Sequence, residues 1–117
     1  MCGIMAYLGE RDTVDVLLEG LRRLEYRGYD SAGVAISADG KIDLVKAKGK
    51  IAALAELLEK RKPEGSAGIA HTRWATHGPP SKKNAHPHPD CEGHIAVVHN
   101  GIIENYLELR ENCLLYT

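Results

Sequence analysis

The sequence contains no phenylalanine and a single tryptophan, so aromatic residues fill only 5% of its 117 positions. A core without large rings must be filled by Leu, Ile, Val and Ala, whose rotamers are well defined. Cysteine is also scarce: Cys2, Cys91 and Cys113 are an odd number at irregular spacing. That pattern excludes a disulfide framework and suits free thiols in a reducing compartment. Neither sign of charge dominates, with 15 Lys and Arg against 16 Asp and Glu and a formal net charge of −1. Such a chain has no long-range field to gather nucleic acid or an anionic membrane, and neither is expected as a partner. Long hydrophobic runs are missing as well. The N-terminus lacks a basic n-region, Gly9, Glu10 and Arg11 break its apolar stretch, and no run approaches the length of a membrane span. The expected compartment is the cytoplasm. What is present, 44% hydrophobic and 26% charged residues, is ordinary composition for one small globular domain.

Residues 2–8 mix small and β-prone side chains and stop at Gly9, which predicts a short buried strand. Asp12 is placed to cap a helix over about 13–25, because Leu17, Leu18, Leu21 and Leu24 recur at three- and four-residue spacing; Gly28 and Asp30-Ser31 end it. Residues 33–37 and 42–47 flank an Asp39-Gly40 step, a strong hairpin signal. Ile51, Leu54, Leu57 and Leu58 predict a second helix, terminated at Lys62-Pro63. Residues 67–71 and 94–99 read as two more strands, each running into a dense polar motif. Between them, 76–93 is too rich in Gly, Pro, His and Asn, and too long, to be a mere connector. A last helix is expected from about Ile103, with Tyr106 and Leu107 facing inward. Helices and strands mix without βαβ alternation and without repeats, so the class is α+β with antiparallel sheets.

Four stretches carry candidate chemistry. Removal of Met1 before a small residue exposes a Cys2 that bears a thiol and a free α-amine together, a nucleophile with its own base; a retained Met1 would bury that amine in a peptide bond. In His71-Thr72-Arg73-Trp74-Ala75-Thr76-His77-Gly78, Arg73 is suited to grip a carboxylate, with Thr76 and His77 adding hydrogen bonds and Trp74 forming a wall. In His99-Asn100-Gly101, the Asn100 amide and the Gly101 N–H are the two donors an oxyanion hole needs. Taken singly, each has a simpler reading: a small core cysteine, a surface ion pair, an Asn-Gly turn. The fourth stretch, Asn84 to Cys91, holds His86, His88 and Cys91, but its prolines and spacing match no zinc pattern, and no metal and no cofactor are expected.

Taken in order, Cys2-Gly3-Ile4, Tyr26-Arg27-Gly28-Tyr29-Asp30-Ser31-Ala32-Gly33, His71 to Gly78 and His99-Asn100-Gly101-Ile102-Ile103-Glu104-Asn105 closely resemble the class II (N-terminal nucleophile) glutamine amidotransferases, almost unbroken from residue 2 to about 110. The wording is most similar to the bacterial glucosamine-6-phosphate synthase type within that family. The resemblance implies an N-terminal-nucleophile αββα four-layer sandwich, here truncated, with residues 1–117 as the first portion of the glutaminase domain and the sugar isomerase domains absent. It implies that Cys2 attacks glutamine, that Asn100 and Gly101 hold the oxyanion, and that Arg73, Trp74, Thr76 and His77 bind the substrate, with Arg27 and Gly28 packed around the nucleophile. In the parent enzyme, expected to be a homo-oligomer, the released ammonia would convert fructose 6-phosphate to glucosamine 6-phosphate. The family's aspartate for the substrate α-amine has no counterpart, and Cys113 to Thr117 departs from the family's continuation, so a silent fragment acting as a binding piece is the alternative expectation.

Overall fold

The computed structural model describes residues 2–75 and 78–114. Its elements are β1 (Gly3–Leu8), α1 (Thr13–Leu24), β2 (Ser31–Ala38), β3 (Lys41–Lys48), α2 (Ile51–Lys60), β4 (Ala67–Arg73), β5 (His88–Pro89), β6 (Ala96–Val97) and α3 (Tyr106–Leu114). The first helix starts where the sequence places it, because the Asp12 carboxylate accepts the N–H of Asp15 at 3.1 Å and so satisfies a donor that the helix itself leaves open. A 3₁₀ turn over Glu25–Arg27 then leads into Gly28. The Asp39-Gly40 step closes the β2–β3 hairpin with both residues at positive φ, 51° and 76°, the geometry whose twist matches the flanking strands.

Four strands form one antiparallel sheet in the order β1-β4-β2-β3, with β4 between β1 and β2. Alternation sends Ala32, Val34 and Ile36 of β2, Val45 and Ala47 of β3 and Ala70 of β4 to one face, where α1 and α2 cover them with Val14, Leu17, Leu18, Leu21, Ile51, Leu54 and Leu58. This is the aliphatic core. Leu17, Leu21, Val34, Ile36 and Leu54 have no exposed surface at all.

The opposite face is dressed differently. Ala6, Leu8, Ala35, Ile42 and Ile69 line an apolar groove of about 430 Å³, with Ala96 of β6 at its border. Further along this face the segment after Gly78 crosses the sheet at Gly33, where a Cβ would lie 2.3 Å from the His86 carbonyl, and Lys46 Nζ pins the crossing by donating to the Ala85 carbonyl at 2.7 Å. Of the four expected layers, a helical layer and a sheet are built; beyond β4 the described elements are the short β5–β6 ribbon and α3, joined by irregular segments.

Four expectations need correction. β1 is not a buried strand: of its six residues only Gly3 is buried, and Ile4 and Leu8 are exposed on the face away from the helices. β4 runs two residues further than 67–71, so that Thr72 and Arg73 lie within the strand. The stretch 94–99 is not a strand of the main sheet: only Ala96–Val97 pair, and with His88–Pro89. The cause is local, since the Asp90 carboxylate accepts the N–H groups of both His94 and Ile95, at 2.8 and 2.9 Å, and Pro89 has no N–H to give. Finally, α3 begins at Tyr106 and buries none of its residues, leaving Tyr106 at 37% and Leu107 at 60% exposure rather than facing inward. Among the described residues no helix is long and apolar enough to cross a membrane.

Because Leu17 sits with zero exposure between α1 and the sheet, Leu17→Ala is expected to lower the unfolding free energy by about 2–5 kcal/mol. Urea denaturation of the two proteins, compared at equal slope, measures it.

Candidate active site

The register of β1 on β4 puts Gly3 opposite Thr72, which carries Cys2 to the end of β4. There the Trp74 N–H donates to Cys2 Sγ at 3.3 Å, and the sulfur lies 3.7 Å from the Trp74 carbonyl. The turn after α1 holds this strand end from behind. Gly28 is buried against the Arg73–Trp74 peptide so closely that a Cβ would meet the Arg73 carbonyl carbon at 2.5 Å and Trp74 N at 2.8 Å. The Thr72 hydroxyl donates to the Gly28 carbonyl, and the Asp30 N–H donates to that of Arg73 at 3.1 Å. Glycine at 28 is therefore required by close approach, not by its dihedral angles.

Asn100 reaches the same point from a segment 98 residues away. Its Nδ2 donates to the Cys2 carbonyl at 3.1 Å, and its Oδ1 is 2.8 Å from His71 Nε2. His71 is fully buried on β4 and stacks on His86, centroids 4.4 Å apart and planes 23° from parallel; His88 lies 4.4 Å beyond at 54°. The His99 N–H donates to His86 Nδ1 at 3.3 Å, which leaves the proton of the neutral ring on Nε2. Desolvation by burial lowers all three imidazole pKa values, and that of His86 falls to about 3, with the neighbouring His71 and His88 adding to the effect. Three neutral rings can stack where charged ones would repel.

Arg73 is also buried, at 6% exposure, and its guanidinium donates to the carbonyls of Gly78 and Pro79 at 3.1 and 3.2 Å while lying 3.8 Å from the Asp30 carboxylate. Trp74 is 43% exposed, with its ring edge-on to Tyr29 at 5.4 Å. A pocket of about 360 Å³, within the usual size for a small-molecule site, is lined by Cys2, Arg73, Trp74, His86, His99 and Gly101 among others. Of the residues singled out in the sequence, Cys2, Arg73, Trp74, Asn100 and Gly101 are thus brought together. Arg27 is not among the pocket's lining residues and lies over the Tyr26 ring at 5.9 Å. Thr76 and His77 lie outside the described residues.

Sequence reasoning gave His71, His86 and His88 no role at the site, although each stood inside a quoted motif; stacking between residues 15 apart has no periodicity to reveal it. A metal site on His86, His88 and Cys91 is not assembled. Among the described residues the candidate cluster is Asp90, Glu92 and His94 on the surface, and the Asp90 carboxylate there already serves two backbone N–H groups.

The histidine stack has a measurable consequence. Between its ordinary value of 6.5 and about 3, His86 is protonated in the unfolded chain and neutral in the folded one. Its contribution to stability is therefore complete above pH 6.5 and is lost as the pH falls toward 3. His86→Gln should flatten the acid limb of stability against pH, measured by urea unfolding at successive pH values. In the parent chain the His86 ring should show its NMR titration near pH 3.

Comparison with known proteins adds to this geometry. No family model matches the chain. It is 61% identical over 111 residues to the glutamine–fructose-6-phosphate aminotransferase (isomerizing) of Caldanaerobacter subterraneus subsp. tengcongensis, covering 95% of this chain and 18% of that protein. It is 60% identical over 111 residues to that of Thermus thermophilus, again 95% and 18%, and 58% identical over 114 residues to that of Pyrococcus horikoshii, 97% and 19%. The chain therefore spans about a fifth of the length of these relatives. Among solved structures, the glutamine phosphoribosylpyrophosphate amidotransferase from B. subtilis, complexed with ADP and GMP, superposes with a TM-score of 0.81 at 24% identity over 99% of this chain and 25% of that one. A structure described as the allosteric regulatory enzyme of purine biosynthesis gives 0.83 at 25% identity with the same coverage. By sequence the chain is thus similar, over almost all of its own length, to about a fifth of the glutamine–fructose-6-phosphate aminotransferases, and its fold is one shared with a glutamine phosphoribosylpyrophosphate amidotransferase.

Proposed function

We propose that this chain carries the glutaminase half-reaction of a glutamine–fructose-6-phosphate aminotransferase. The observation that carries the reading is the convergence on Cys2 of the Trp74 N–H, 3.3 Å from the sulfur, and of the Asn100 amide, 3.1 Å from the Cys2 carbonyl, at a pocket that Cys2, Arg73 and Gly101 line. With Met1 removed, the α-amine of Cys2 takes the thiol proton and the sulfur attacks the side-chain carbonyl carbon of glutamine. The oxyanion so formed is met by the second Nδ2 hydrogen of Asn100 and the N–H of Gly101. Collapse expels the nitrogen as ammonia, using the proton held by the α-amine, and leaves a γ-glutamyl thioester. Water, deprotonated by the same amine, hydrolyses the thioester and releases glutamate. Arg73 sits at the pocket wall to receive the substrate carboxylate, and Trp74 stands half-exposed at its mouth; Thr76 and His77 are assigned to substrate binding by their place in the motif. Gly28, packed against the Arg73–Trp74 peptide, is a supporting residue, and so by its motif is Arg27. In the longer protein, a cytoplasmic homo-oligomer, the ammonia passes to a sugar isomerase domain and aminates fructose 6-phosphate.

The uncovered apolar face bears on activity. Ile4 at 41% and Leu8 at 80% exposure leave the site mounted on a sheet with one unsealed side, and donors that must be held within about 0.5 Å need rigid support. Residues 1–117 freed of Met1 are therefore expected to release glutamate slowly and to associate. A steady-state glutaminase assay checks this, and turnover equal to that of a full-length relative would show that the pocket alone suffices.

Two substitutions separate binding from chemistry in a full-length context. Asn100→Ala is expected to lower kcat by roughly 10²- to 10³-fold, the cost of one oxyanion donor. Arg73→Ala acts mainly on KM, since the carboxylate is held alike in ground and transition states. A diazo-ketone analogue of glutamine should label Cys2 far faster than Cys91 or Cys113, as read by peptide mass mapping. Equal labelling of the three thiols would remove Cys2 as the nucleophile.

A further inference from the structure

We propose that His71 is a positioning residue that aims the Asn100 amide at the oxyanion, a role that rests on the glutaminase reading above. A carboxamide has two ends of opposite polarity, and only the Nδ2 end can stabilise an oxyanion; turned by half a revolution, the amide would present Oδ1 and repel it. Two contacts decide the orientation. The Cys2 carbonyl can only accept, so the group 3.1 Å from it must be Nδ2. The Oδ1 end then faces His71 Nε2 at 2.8 Å, and that nitrogen must carry the proton. The same tautomer leaves His71 Nδ1 bare, and among the described residues this buried nitrogen has no hydrogen-bond partner. A ring with its proton on Nε2 thus satisfies both observations.

Asn100 needs such a tether because its segment lies outside the sheet and the helices. Residues 99–105 are exposed and belong to no helix or strand. Two of the contacts that tie this segment to the sheet run through imidazoles: the His99 N–H to His86 Nδ1 at 3.3 Å and the Asn100 amide to His71. His71 is itself immobile, fully buried on the central strand β4 and stacked on His86. It does not touch the pocket, so it acts through Asn100 and not on the substrate. Burial also lowers its pKa and keeps the ring neutral near pH 7.

The test uses the Met1-free chain and γ-glutamyl-p-nitroanilide, whose acylation step releases p-nitroaniline, followed in single turnover. His71→Met fills much of the ring's volume without an N–H and is expected to slow acylation by about 10²-fold with little change in half-saturation. His71→Gln, whose Nε2 can take the place of the imidazole N–H, should recover most of the rate. In an Asn100→Ala background His71→Met should cost nothing further, because the two act as one unit. A dispersed ¹H–¹⁵N spectrum establishes that each variant is folded, and side-chain ¹⁵N relaxation of the Asn100 amide reports its order directly. If Asn100→Ala is slow but His71→Met is not, or if the two losses multiply, the positioning role is wrong while the glutaminase reading stands. If Asn100→Ala has no effect, the oxyanion reading is wrong. His71 is then judged on relaxation alone: an Asn100 amide loosened by His71→Met upholds the tether, and one that stays ordered overturns it.

Discussion

Everything at the site hangs on the register of β4 between its two neighbours. Strand side chains alternate, so a slip of one residue would exchange the faces of Ala70, His71, Thr72 and Arg73 together. In the observed register Ala70 enters the aliphatic core, whereas His71 and Arg73 stand on the side away from the helices. The same pairing fixes how far β1 extends, and hence that Cys2 ends beside the Trp74 N–H. The register is held from the core side by β-branched and leucine side chains with no exposed surface. It is also held at the strand end by Gly28, whose missing side chain lets the α1 turn press on the Arg73–Trp74 peptide.

The two faces of the sheet are chemically unlike because they are covered unlike. Under α1 and α2, aliphatic burial supplies the stability, at about 25 cal/mol for each Å² of apolar surface removed from water. On the other face the cover is a proline- and histidine-rich segment tied down by Lys46 and admitted by Gly33. Burial there falls on imidazoles, and it costs least when they are neutral. Hence the stack of His71, His86 and His88 is a set of uncharged rings, and neutrality is also what lets His71 and His86 keep fixed tautomers for their partners, Asn100 and the His99 N–H.

Arg73 shows how one residue can hold two segments together and still line the pocket. Its buried guanidinium ties Gly78 and Pro79 to the strand end, next to the Asp30 carboxylate, and still forms part of the pocket wall. A planar group with five N–H donors can serve several acceptors at once, which a lysine could not do in this geometry.

Much was legible in the sequence alone. The Asp12 cap, the leucine stripe of α1 and the Asp39-Gly40 hairpin are local signals, readable because capping, helical period and positive-φ turns act over a few neighbouring residues. The motifs around Cys2, Arg73 and Asn100 were legible as candidates for the same reason, by residue type and by order along the chain. Tertiary structure decided the rest. It set β4 between β1 and β2, although the predicted strand at 94–99 fell to a two-residue pair for a local reason, the competition of the Asp90 side chain for backbone donors. It left α3 without a buried face and set His86 and His88 into a stack of rings with His71. And it joined Cys2 to Asn100 and Asn100 to His71, contacts between residues 98 and 29 positions apart. No local preference encodes such contacts; they exist only once the antiparallel register has set which side chains share a face.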